Sequence, residues 1–124
     1  MGLLFIGIGG AAGAIARFLV SRLMNNLLPL SLEPWGTVVV NITGAFLLAF
    51  MLTAHQVKFQ FSPNFLLMAG TGFLGAFTTF STFSFETFQL LRESPLRALL
   101  YISITLLVGF AAAYAGIVLG RMNS

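Results

Sequence analysis

The chain has no cysteine, no aspartate, one histidine and one tryptophan, and only 7 % of its 124 residues are charged. Without cysteine there is no disulfide framework and no thiolate metal site. Soluble domains carry roughly 25 % charged residues, so a chain this poor in charge belongs in a bilayer. The formal charge of +3 comes from five Arg and one Lys against three Glu. Most of these sit at expected helix ends, where they set topology rather than bind nucleic acid. No basic n-region precedes the first apolar stretch, so a cleaved signal peptide is not expected. Ile6 stands where a myristoylation signal needs Ser or Thr. His55 falls outside the expected spans with no acidic neighbour, which argues against a side-chain metal site. Ser81 has no visible base, so an enzyme is not expected.

What remains is apolar: hydrophobic residues make up 58 % of the chain. It reads as one all-α transmembrane domain, 1–124, with four helices at about 3–24, 35–53, 64–91 and 96–120 and both termini on one side. Gly9 and Gly13, with Gly10 and Ala14, give the first span a small-residue face for close helix packing. Pro29 and Pro34 stop a helix from continuing, and Trp35 opens the second span at an interface. Thr37, Asn41, Gly44 and Ala45 share one stripe of that span, where Asn41 is either interhelical glue or part of a polar path. Ala112, Gly116 and Gly120 make a second small-residue face, suited to packing.

The third span departs from a plain anchor. Residues 64–91 as one straight helix would reach about 42 Å, against a hydrocarbon core of about 30 Å. Gly70, Gly72 and Gly75 weaken its first half, and Thr78-Thr79 is a β-branched pair able to bond back to the backbone. Two readings compete: an over-long tilted helix, or a helix broken near residues 75–79. The second is preferred, and breaks at mid-membrane mark ion sites, because unpaired backbone survives there only beside a cavity or inside protein.

Depth sharpens this. Call the terminal side X and the other side Y. Asn41, Ser81, Thr82, Ser84, Glu86, Tyr101 and Ser103 all fall in the Y half, with Thr105 a little deeper and Arg17 also near Y. One copy thus writes a polar route through half a bilayer. The rest is either a wide watery vestibule or an inverted second copy. Side X carries Lys58 and Arg121; side Y carries Arg22, Arg92 and Arg97. That weak bias permits insertion both ways, so an antiparallel, dual-topology homodimer is the expectation. Arg17 and Glu86 lie at matching depth and are expected to form a structural ion pair, since a lone charge there costs about 2.5–3.5 kcal/mol.

The segments GTVVVNITGAF (Gly36 to Phe46), GTGFLGAFTTFSTFSFE (Gly70 to Glu86) and GAIAR (Gly13 to Arg17) resemble the Fluc, or CrcB, family of fluoride channels. The likeness covers essentially the whole chain, loosest in the fourth helix, and TTFSTF is its most specific part. It implies a bacterial cell-membrane homodimer of inverted subunits, with two pores passing fluoride passively and so protecting against its toxicity. It also implies that Phe80 and Phe83 face the pore and that Asn41, Ser81 and Thr82 coordinate the anion; Tyr101 and Thr105 are added to that path from their depth. A structural sodium ion is implied at the dimer centre, held by backbone carbonyls of Gly75 and Thr78. The physics agrees: fluoride is strongly hydrated and needs close donors, which hydroxyls, an amide and electropositive ring edges supply. Two other functions stay open. One is a proton-coupled exporter of hydrophobic cations, for which Glu86 is the acidic candidate; the other is a non-conducting membrane assembly protein.

Overall fold

The computed structural model describes residues 2–28 and 34–122. Pro29, expected to help end the first helix, lies outside these residues. Regular structure among them is entirely helical. Helix α1 spans Gly2–Leu27 and α2 spans Trp35–Ala54. The third span is built of α3, residues 63–77, and α4, Ser81–Glu93. Helix α5 covers Pro95–Met122. Four stretches, Gly2–Leu27, Trp35–Phe59, Pro63–Glu93 and Pro95–Met122, are long and apolar enough to cross a membrane.

The second span runs past its expected end at residue 53. Its backbone widens into a π-helical turn over His55–Phe59 and reverses only at Gln60, whose φ of 48° is left-handed. An aromatic stack accounts for the added turn: the Phe61 ring lies 6.1 Å from His55, 5.7 Å from Phe59 and 5.0 Å from Phe65. Ser62 then caps the third span by accepting from the Phe65 N–H at 3.2 Å, with Pro63 in the first helical position.

Small residues govern how the helices meet. A Cβ on Gly9 would strike the Met68 carbonyl, one on Gly13 the Phe73 carbonyl, and one on Gly72 would lie 2.7 Å from the Ile6 carbonyl. Helix α1 therefore lies backbone to backbone against α3. The glycine face of α5 meets α2 in the same way, with a Gly116 Cβ 2.5 Å from the Phe46 carbonyl. The buried core at the other end gathers Val38, Leu90, Ala98 and Tyr101 between α2, α4 and α5.

The weakness expected of the α3 glycines takes an unexpected form. Leu66–Leu74 is π-helical, and the Gly75 N–H reaches back to Gly70 O. Every glycine among the described residues keeps negative φ. Gly75 itself is helical at φ −62°, ψ −38°, so α-geometry persists through the start of the expected window, 75–79. It lapses at 78–80, with Thr78 extended at φ −87°, ψ 158°. The reason lies in a side chain of α2, described next.

Candidate functional site

Helix α3 ends on one carbonyl. Leu74 O accepts from both the Thr78 N–H and the Thr78 hydroxyl, each at 3.1 Å. The next donor, the Thr79 N–H, would continue the ladder to Gly75 O, but it goes to Asn41 Oδ1 at 2.8 Å. Asn41 Nδ2 answers by donating to Thr79 O at 3.0 Å. One amide side chain thus satisfies both backbone groups of Thr79, as a neighbouring strand would. Gly44, three residues on along α2, makes room for this approach: a Cβ there would overlap the Thr78 methyl.

Helix α4 then starts under a side-chain cap. The Thr82 N–H donates to Thr79 Oγ1 at 3.2 Å, and the Thr79 hydroxyl donates to Thr82 Oγ1 at 3.1 Å. The Ser81 hydroxyl lies 3.4 Å from the same Thr79 oxygen. Further along, the Ser84 and Thr87 hydroxyls fold back to the carbonyls of Phe80 (3.0 Å) and Phe83 (2.7 Å). Because Thr82 N–H is drawn to Thr79, the Thr78 carbonyl, like that of Gly75, loses the donor four residues ahead.

An open groove of about 1000 Å³ runs beside this interruption, and Asn41, Gly75, Thr78, Phe80, Phe83 and Thr105 help line it. Phe80 is 79 % exposed, and its ring centroid lies 6.3 Å from that of Phe83. Thr105 is buried, with its hydroxyl oxygen lacking a hydrogen-bond partner. Ser81 and Thr82 join through the Thr79 hydroxyl. Tyr101 is buried behind Phe83, with ring centroids 5.2 Å apart.

The expected pairing of Arg17 with Glu86 is not formed. Glu86 Oε1 accepts instead from the Thr37 hydroxyl at 2.6 Å and the Tyr101 hydroxyl at 3.1 Å. Arg17 Nε is enclosed without a hydrogen-bond partner. The cause is lateral: α1 packs along α3, whereas Glu86 sits on α4, which packs against α5. Thr37 and Thr79 carry roles that sequence reasoning did not give them. Thr37 lies four residues before Asn41 on one face of α2, so the two reach Glu86 and Thr79 like successive rungs. That spacing was the available signal.

These features define a small multi-pass membrane protein with a polar track cut into one side of an apolar helix bundle. A family model described as "CrcB-like protein, Camphor Resistance (CrcB)" matches residues 4–117, and the chain belongs to that family. It is 53 % identical over 121 residues to a protein of Thermosipho melanesiensis named "Fluoride-specific ion channel FluC", covering 98 % of this chain and 97 % of that one. A protein of Thermotoga petrophila with the same name is 51 % identical, the match spanning 95 % of this chain and 93 % of its own. A third so named, from Methanopyrus kandleri, is 38 % identical, with 90 % and 82 % covered.

Proposed function

We propose that this protein is a fluoride-selective channel of the cell membrane, passing fluoride down its gradient as an inverted homodimer with two pores. What carries the reading is the near full-length likeness to proteins named as fluoride-specific ion channels. The chemistry around Thr79 supports it. Fluoride gives up its water only to close donors. Thr82 receives a hydrogen bond from Thr79 and so keeps its own proton to offer. An amide nitrogen carries two hydrogens; Asn41 spends one on Thr79 O and has one for the anion. Ring edges of Phe80 and Phe83 add weak positive potential without a fixed charge that would trap the ion. Thr105, whose hydroxyl is unsatisfied, extends the donor row, whereas Tyr101 spends its one proton on Glu86 and backs Phe83 from behind.

The interrupted third span is read as a discontinuous helix of the kind that holds ions. Gly75 and Thr78 carbonyls, stripped of their ladder donors, suit a hard cation such as sodium. Two from each inverted copy would hold it on the two-fold axis, where its charge offsets repulsion among the anions.

Purified protein in liposomes, followed with ion-selective electrodes, should release fluoride passively and retain chloride. Chloride release at an equal rate, fluoride release only when protons are coupled, or silence toward every ion would each overturn the reading.

A further inference from the structure

We infer that the hydroxyl of Thr79 contacts the anion, turning away from Thr82 to do so. This rests on the channel reading and adds to it a residue that neither the sequence nor the resemblance singled out. The chain places six hydroxyls between residues 78 and 87. Thr78, Ser84 and Thr87 give their protons to the carbonyls of Leu74, Phe80 and Phe83, at 3.1, 3.0 and 2.7 Å. Those three are tied to their own helices, and freeing one would strip a carbonyl of its donor. Thr79 instead gives its single proton to another hydroxyl, Thr82 Oγ1, at 3.1 Å. With that proton spent, the 3.4 Å contact between Ser81 and Thr79 runs from Ser81.

Of these six residues, Thr78 and Thr79 line the groove of about 1000 Å³, and Ser81 and Thr82 do not. Thr79 therefore faces the groove with a proton that no backbone group claims. Asn41 lines the same groove and donates through Nδ2 to Thr79 O at 3.0 Å, so its second amide hydrogen and the Thr79 hydroxyl serve one spot. Rotation about the Thr79 C–O bond trades the bond to Thr82 for one to an anion, and no proton changes oxygen. The Thr79 oxygen meanwhile keeps the hydrogen bonds it accepts from the Thr82 N–H at 3.2 Å and from Ser81. Donors aimed at a hydroxyl oxygen strengthen the hydrogen bond that the hydroxyl gives. Because an internal bond is surrendered, the trade favours a strong acceptor such as fluoride over a weaker one such as chloride. Ser81 then acts on the anion through Thr79 rather than by touching it.

Thr79 also caps α4, so the test must separate a cap from a contact. Thr79→Ser keeps cap and donor. Thr79→Asp keeps a cap acceptor but has no proton to give and carries a charge. Thr79→Val removes cap and donor without adding charge. Each intact protein is placed in liposomes, and fluoride release is followed with an electrode and normalised to the protein incorporated. Contact predicts that Thr79→Ser conducts while Thr79→Asp and Thr79→Val both fall by about tenfold or more, as for one hydrogen bond to a charged group. Conduction by Thr79→Ser and Thr79→Asp alike would make Thr79 a cap only. Conduction by Thr79→Ser and Thr79→Val, with Thr79→Asp silent, would mean that charge near the path matters and the hydroxyl does not. Either pattern in a conducting wild type overturns this inference alone, whereas a wild type silent toward fluoride removes the channel reading together with it. Thr79→Ala takes the place of Thr79→Val where the latter does not fold.

Discussion

The two halves of the third span are held by different physics. Helix α3 is fixed by backbone contact: Gly9, Gly13 and Gly72 admit no Cβ, and between Met68 and Phe73 the chain lies directly on α1. Helix α4 is fixed by side-chain hydrogen bonds, from Thr37 and Tyr101 onto Glu86 and from Thr79 onto its first turn. Contact without side chains leaves no freedom to adjust, whereas hydrogen-bonded hydroxyls can re-aim. The first half behaves as an anchor and the second as the adaptable wall of the polar track. Asn41 joins them by holding Thr79 at both backbone groups.

Gly13→Val tests the anchor and should have the largest effect. Its side chain would collide with the Phe73 carbonyl, a backbone atom that cannot rotate away. Overpacking of this kind costs about 1–3 kcal/mol, and more where backbone is struck. The yield of monodisperse protein in detergent should collapse. Near-normal yield from Gly13→Val would show that α1 and α3 are not locked by contact.

Asn41→Asp attacks the joint and ranks next. Aspartate can still accept from the Thr79 N–H, but it loses the donor to Thr79 O and faces that carbonyl with a negative oxygen. A buried carbonyl left unpaired costs about 1–3 kcal/mol. Fluoride efflux from liposomes should fall tenfold or more while yield stays close to wild type. Unchanged flux would remove Asn41 from both the joint and the anion path.

Much of this was legible in the residues. The four spans follow from apolar run length, and the stripe Thr37, Asn41, Gly44 follows from helical spacing. The misplacements share one cause. Counting inward along a span fixes the depth of a side chain but not its azimuth, so Arg17 and Glu86 fell at one height yet on elements that do not pack together. The lapse at 78–80 falls at the far end of the expected window, 75–79, because a helix fails where a competing partner captures its N–H, and Asn41 captures that of Thr79. The π-helical stretch Leu66–Leu74 leaves no mark that distinguishes it from a weak α-helix.

The smallest expected effect sharpens the comparison most. Thr37→Val keeps the shape of a buried side chain and deletes only the 2.6 Å hydrogen bond to Glu86. Glu86 Oε1 retains Tyr101 at 3.1 Å, so α4 should stay in place with a looser wall. A single net hydrogen bond is worth about 0.5–1.5 kcal/mol, which corresponds to a two- to tenfold change. If the second half is held by such bonds, fluoride efflux should fall by about that factor with yield unaltered. Thr37→Val should then add little in a Glu86→Gln background, because the two report one interaction. Additive losses would mean that Thr37 acts on the anion directly, and α4 would then owe its position to the apolar core of Val38, Leu90 and Ala98 instead.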